Sequence, residues 1–232
     1  QANKMVALSK MAAGIAHEVN NPLASISEKA GWLLDLLAEE DLAASPNYAE
    51  FKESVEKIEH HVERARKIIH NLLGFARRME PAKEKININN LLDETTGLLE
   101  NEARYVNITI NKQYADDVPV ITSDLSQLQQ VVLNLLNNAI DAIGSDGTVT
   151  VGSRYLEKSN QVELWVGDTG AGIAEADLGK IFEPFFTTKA VGKGTGLGLS
   201  ISYSIIEKLG GTMRVQSKVG EGTVFSITLP KN

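Results

Sequence analysis

A histidine followed at once by a glutamate, in a run whose apolar residues recur at helical spacing, is equipped for proton or phosphoryl chemistry. His17 and Glu18 form such a pair in "GIAHEVNNPLASI", residues 14–26. Neutral imidazole is a competent nucleophile, and an unperturbed pKa of about 6.5 leaves most of it uncharged at pH 7. The adjacent carboxylate is placed to accept a hydrogen bond or a proton from the other ring nitrogen. The same letters fall one residue short of the HExxH zinc motif. Position 21 is asparagine where the second histidine ligand would stand, so zinc is set aside. Asn21 lies one turn beyond His17 on the same helical face, where a neutral amide can position a water.

A second set of chemistry-bearing residues lies far downstream. In "NLLNNAIDAI" the oxygen donors Asn134, Asn138 and Asp141 are spaced four and three apart, on one helical face. Mg²⁺ takes oxygen ligands and is often held jointly with a nucleotide's phosphates; a solvated polar face would show the same pattern. In "DTGAGI", Asp168 ends a strand, and Gly170 and Gly172 let the chain turn closely. A carboxylate at a strand end can accept an exocyclic amine, the group that marks adenine. In "VGKGTGLGLS", Gly192, Gly194, Gly196 and Gly198 alternate before a helix begins. Backbone N–H groups feeding a helix N-terminus cradle anions, although a mobile loop would also be glycine-rich. It is not a Walker A sequence, and no Rossmann unit surrounds it. "IFEPFFTTK" gathers Phe182, Phe185 and Phe186 around Pro184. That cluster reads as core or as the anchor of a lid, with Thr187, Thr188 and Lys189 reaching phosphates.

Two kinds of element must position these residues. Up to about residue 80 the apolar residues step at heptad spacing: Met5, Leu8, Ala12, Ile15 and Val19, then Leu23, Ile26, Ala30, Leu33 and Leu37. The phase slips across Pro22, which removes a backbone N–H and weakens a helix interior by about 3 kcal/mol. That weakening reads as a hinge beside His17, or as a passive kink. A second seam runs unbroken through Phe51, Val55, Ile58, Val62, Ala65, Ile69, Leu72 and Ala76, after a turn in "AASPNYAE". Two long helices with apolar stripes predict an antiparallel hairpin, and pairing two copies as a four-helix bundle buries those stripes. His60, His61 and His70 on the second helix receive no chemical role.

From about residue 84 the pattern changes to short strands mixed with helices. A helix over 124–143, opened by Ser123 or Asp124, buries Leu128, Val132, Leu135, Ala139 and Ile143; strands follow in "GTVTVGSRYL", "QVELWVGDTG", "GTMRVQSK" and "GTVFSITLP". This predicts an α+β sandwich with helices on one face of a sheet. The division falls at Pro81, giving segments 1–80 and 81–232.

Bulk properties exclude other classes. At 232 residues and 43% apolar content, the chain supports one large or two ordinary domains. The net charge of −7 argues against non-specific nucleic-acid binding. The absence of cysteine excludes disulfides and thiolate metal sites. No uninterrupted apolar run is long enough to span a membrane. The opening "QANKMVALSK" reads as a cut inside a helix, so the chain is expected to be a fragment of something longer.

Taken together, "GIAHEVNNPL", "NLLNNAIDAI", "DTGAGI", "FEPFFTTK" and "GTGLGLS" resemble, in order and spacing, the H, N, G1, F and G2 boxes of sensor histidine kinases. The resemblance covers essentially the whole chain. It implies a dimerisation and phosphotransfer hairpin, followed by a Bergerat-type ATP-binding domain. It further implies that Asn138 ligands Mg²⁺ with Asn134 beside the phosphates, and that Asp168 binds the adenine amine. Gly170, Gly172, Gly194, Thr195, Gly196, Leu197 and Gly198 would shape pocket and lid, and Thr223 in "GEGTVF" would lie near adenine. His17 would be phosphorylated from Mg·ATP within a homodimer and would pass the group to an aspartate on a response-regulator receiver domain. Asn21 would support dephosphorylation of that regulator. This portion would face the cytoplasm, where ATP is. A free ATPase of the same nucleotide fold would lack the His-Glu hairpin, and an inert dimeric scaffold would not need the glycine motifs.

Overall fold

The computed structural model describes residues 19, 21–37, 47–59, 62, 65, 83–189 and 195–231. The chain separates into two compact units, Gln1–Arg78 and Met79–Asn232. In the first, helix α1 occupies residues 21–37 and α2 residues 48–59, with Val62 and Ala65 also helical. A Cβ at Gly31 would sit 3.8 Å from Glu59 Oε1, so the two helices run close at that level. The seam residues divide. Ala30, Val55 and Val62 are buried, whereas Ile26, Leu33, Phe51 and Ile58 are 42–60% exposed. A hairpin two helices wide cannot cover both sides of its stripe, which is why alternate seam positions stay open.

The second unit runs β1 (Lys83–Ile86), α3 (Ile88–Tyr105), β2 (Ile108–Tyr114), β3 (Ile121–Asp124), α4 (Leu125–Ile143), β4 (Gly147–Leu156), β5 (Gln161–Asp168), α5 (Glu175–Leu178), α6 (Gly198–Lys208), β6 (Thr212–Lys218) and β7 (Gly222–Pro230). β1 and β3 form a small antiparallel pair. The main sheet has the order β2-β4-β5-β7-β6. Only the β2–β4 pair is parallel, because the chain returns through β3 and α4 before entering β4. Helices α3, α4 and α6 pack together, α4 against β5, and α6 against β6. The result is an α/β sandwich, with the helical segment ahead of it.

The core follows from alternation. Val149 and Val151 of β4, Val162, Leu164 and Val166 of β5, and Phe225, Ile227 and Leu229 of β7 are all buried. Each lies on the pleat face turned toward the helices. Helix α4 answers with Leu128, Val131, Val132, Leu135, Leu136, Ala139 and Ile140. Ile143, expected in that core, is half-buried at the last turn, where the helix leaves the sheet. Asp124 is the N-cap of α4. Its carboxylate accepts from the Gln127 backbone N–H at 2.9 Å and from Ser126 Oγ at 2.8 Å. Removing such a cap costs about 1 kcal/mol. In the same helix layer α3 is pinned by Asn89, which donates to the Ala115 carbonyl at 2.9 Å and accepts from the buried Ser153 hydroxyl.

Candidate active site

One stripe of α4 meets three separate segments. Asn134, Asn138 and Ala142 recur every fourth residue, so they line one side of the helix over about 12 Å. At the first, Asn134 Nδ2 donates to Ser202 Oγ of α6 at 2.9 Å. A Cβ added to Gly198, the first residue of α6, would overlap that amide, so glycine alone lets the helix start this close. At the second, Lys189 Nζ lies 3.4 Å from Asn138 Oδ1 and 2.5 Å from Asp141 Oδ2. At the third, the turn after β5 rests on the helix. The Ala171 N–H donates to the Ala142 carbonyl at 3.1 Å, and a Cβ on Gly170 would stand 2.6 Å from that same oxygen.

Asp168 closes the sheet side of this arrangement. Register places Val149, Asp168, Thr223 and Ser217 as one row across β4, β5, β7 and β6, on the helix-facing side. The Asp168 carboxylate accepts the Gly170 N–H at 2.8 Å and the Thr223 N–H at 3.3 Å, both on Oδ1. Burial raises its pKa above the ordinary aspartate value, while those two backbone bonds pull the other way. Among the described residues Oδ2 takes neither bond and is free to accept from a ligand. The turn needs its second glycine for a different reason from its first. Gly172 has φ 71°, and a Cβ there would run into the Lys218 carbonyl.

The aromatic run is not core. Phe182 packs on Tyr203 of α6 with ring centroids 4.9 Å apart, and Phe185 is 59% exposed. Phe185 holds φ 68°, a strained value for a bulky residue, and its N–H donates to the Gly196 carbonyl at 2.9 Å. That bond joins "FEPFFTTK" to the glycine-rich segment. Next along, Thr195 Oγ1 accepts the Leu197 N–H at 3.3 Å, Leu197 is buried, and Gly198 opens α6. Thr188 is exposed beside Lys189. The site residues Asn134, Asn138, Asp141, Asp168, Gly170, Gly172, Lys189, Gly196, Leu197, Gly198 and Thr223 are thus gathered around α4 and the ends of β5 and β7. His17, Glu18 and Gly194 lie outside the described residues, and Asn21 is an exposed residue of α1.

Some members carry no sequence signal. Ser202 stands four residues into α6, and only its bond to Asn134 marks it. Ala142 contributes through its backbone carbonyl, which no side-chain pattern reports. Ser217 accepts the Ile173 N–H at 2.8 Å and so ties β6 to the turn after Asp168.

Comparison with known proteins agrees with this arrangement. The domain description "Histidine kinase-, DNA gyrase B-, and HSP90-like ATPase" matches residues 123–232, and "His Kinase A (phospho-acceptor) domain" matches residues 7–81. A phospho-acceptor segment followed by an ATPase domain defines the class, and the chain belongs to the sensor histidine kinases of two-component systems. It is similar to the sensor kinase CckA of Brucella abortus (strain 2308), 37% identical over 100% of this chain and 25% of the relative. The chain therefore spans about a quarter of that curated relative's length. Among solved structures it resembles full-length ShkA in complex with AMPPNP, with TM-score 0.78, 26% identity and coverage of 95% of this chain and 45% of that one. It also resembles ThkA in two crystals. The nucleotide-free catalytic domain gives TM-score 0.59 and 36% identity, covering 66% of this chain and 97% of that one. The complex with the response regulator TrrA gives TM-score 0.68 and 28% identity, covering 100% and 64%. The domain at 123–232 is accordingly an ATP-binding domain.

Proposed function

We propose that the chain transfers the γ-phosphoryl group of ATP to His17 and then to an aspartate of a response-regulator receiver domain, working as a homodimer. Residues 1–80 would serve dimerisation and phosphotransfer, and residues 81–232 catalysis, in the cytoplasm. The observation that carries the reading is the single α4 stripe that meets the turn after Asp168, Lys189 and the start of α6 in succession. That order matches a nucleotide laid along the helix, base toward Asp168 and phosphates toward Gly198 and its helix N-terminus.

The adenine amine would donate to Asp168 Oδ2, with Thr223 beside it and Gly170 and Gly172 holding the turn. Asn134, Thr188, Lys189, Gly194, Thr195, Gly196, Leu197 and Gly198 would surround the phosphates. Asn138 and Asp141 offer hard oxygen donors, and both already hold a cation, the Lys189 ammonium. The residues therefore fit Mg²⁺, held by Asn138, which would neutralise charge on the phosphates. In the transfer step Nε2 of His17 forms the N–P bond as the bond from the γ-phosphorus to its bridging oxygen breaks, releasing ADP. Glu18 receives the Nδ1 proton or its hydrogen bond.

The ThkA–TrrA crystal supports a receiver domain as the next acceptor. Asn21 is exposed on α1 and follows His17 by four residues in the sequence, which suits an amide that positions water against a regulator's phosphoaspartate. Pro22 would be the hinge that lets the helix bend near His17. Incubation with γ-labelled ATP tests the core of this reading. Acid-labile label on the wild type, lost in His17→Ala, is expected; free phosphate from both proteins would point to a plain ATPase and sink it.

A further inference from the structure

Two hydroxyls beneath the base site have a fixed direction. Ser217 Oγ lies 2.9 Å from the Gly222 carbonyl, which can only accept, so the Ser217 proton is committed there. The same oxygen accepts the Ile173 N–H at 2.8 Å. Ser217 Oγ and Thr223 Oγ1 are 2.8 Å apart, and with the Ser217 proton already used, Thr223 must be the donor in that pair. Its proton therefore points toward β6, away from its row neighbour Asp168. What remains on the Thr223 oxygen is acceptor capacity alone. Thr223 is 4% exposed and Ser217 half-buried, so the direction of the pair is held by the Gly222 carbonyl and the Ile173 N–H and not by burial alone.

We infer that Ser217 is a positioning residue that sets base specificity through Thr223. By taking the Thr223 proton it makes Thr223 an obligate acceptor beside the Asp168 carboxylate, so the base site presents two acceptors and rejects a purine with a carbonyl in place of the amine. This rests on the reading of Asp168 and Thr223 as the base site. Adenine's exocyclic amine brings two protons to such a site. Guanine brings a carbonyl oxygen at the same position, and leaving buried acceptors facing an acceptor is the strongest form of rejection available to a polar pocket. Ser217 does not touch the base in this scheme. It acts through Thr223, and its sequence context "VQSKVGEGT" carries no nucleotide motif of its own before the glycines.

The test is a pair of dissociation constants, for ADP and for GDP, measured by calorimetry on the whole chain. ADP and GDP avoid turnover. Wild type should prefer ADP by about a hundredfold or more, as sites built around a hydrogen-bonding group do. Ser217→Ala frees the Thr223 hydroxyl to rotate and donate to a carbonyl, so the ADP:GDP ratio should fall by about tenfold, mainly through tighter GDP binding. Ser217→Thr keeps the hydroxyl and should restore the wild-type ratio. Thr223→Val removes the acceptor and should lower the ratio even if the Ser217 variants fold poorly. A Ser217→Ala protein that loses both nucleotides equally, or keeps the wild-type ratio, would show a merely structural serine and overturn the inference. Undiminished ADP binding by Asp168→Ala would instead remove the base reading itself, and the inference with it.

Discussion

Lys189 Nζ sits 2.5 Å from Asp141 Oδ2, across the gap between the segment after Phe186 and the exposed turn of α4. The same ammonium reaches toward Asn138 Oδ1, the oxygen assigned to the metal. A protein cation thus stands where an inorganic one is expected. Mg·ATP would displace it, and the released lysine would turn to the phosphates. Lys189→Met should therefore weaken ADP binding most in EDTA, where the ammonium is the main counter-charge, by about tenfold or more. With saturating Mg²⁺ the loss should be smaller. Equal losses in both conditions would show that Lys189 is not exchanging with the metal.

Asp168 ties stability to nucleotide binding with opposite signs. Its pKa is raised by burial, so the native state holds the proton more tightly than the unfolded chain. Wild-type stability should then increase as pH falls through that raised range, and the ionised carboxylate is a liability at neutral pH. Asparagine can keep both backbone bonds, because both go to the one oxygen Oδ1. It replaces Oδ2, the atom offered to the base, with a donor. Asp168→Asn is expected to melt above wild type at pH 7.5, with the gap narrowing toward pH 5, while ADP affinity drops at least about tenfold. Thermal melts across that pH range, with parallel titrations, check both halves.

The residues gathered around α4 were legible because their types recur at fixed intervals in the sequence. Asn134 and Asn138 stand four apart on α4, where they meet Ser202 and Lys189, and Gly196 and Gly198 stand two apart, where they meet Phe185 and Asn134. The strand pattern was equally plain, since Val149, Val151, Leu164 and Val166 alternate with residues of the open face. The parallel pairing of β2 with β4 was not readable, because alternation fixes a strand's faces and says nothing of its neighbour. Ile143 failed as a core position because helix periodicity does not register where a helix outruns its sheet. The bonds made by Ser202, Ala142 and Ser217 come from elements far apart in sequence, and two of them use a small hydroxyl that occurs throughout the chain.

Gly198 offers a sharper probe of the phosphate end than any charged residue. A methyl group there would overlap Asn134 Oδ1 and stand 3.0 Å from its Cγ. The obstacle is the end of a side chain, so Asn134 can swing away and the fold survives. Alanine also suits the first turn of a helix better than glycine, by up to about 1 kcal/mol. Gly198→Ala should leave the melting temperature close to wild type while breaking the Asn134–Ser202 bond. The expected result is weaker binding of Mg·AMPPNP with adenosine binding little changed. A parallel loss of both would place Gly198 outside the phosphate end.

The open half of the helical seam predicts how the chain assembles. Phe51 and Ile58 are 60% and 42% exposed on α2, while Val55 between them is buried against its own chain. Ile26 and Leu33 stand open on α1 in the same way. Covering the open half of these side chains contributes about 1 kcal/mol each, and a two-fold dimer covers four on each copy, which together offset association costs of several kcal/mol. A charge placed mid-seam would be desolvated without a partner in that dimer and solvated in the monomer. Ile58→Glu should therefore convert a dimer to a monomer in light scattering at micromolar concentration. The ATP-binding unit has its own core of Val149, Leu164, Ile227 and α4, so ADP affinity should persist in the monomer. Dimers unchanged by Ile58→Glu would place the interface elsewhere, and loss of ADP binding would show that the two units do not fold independently.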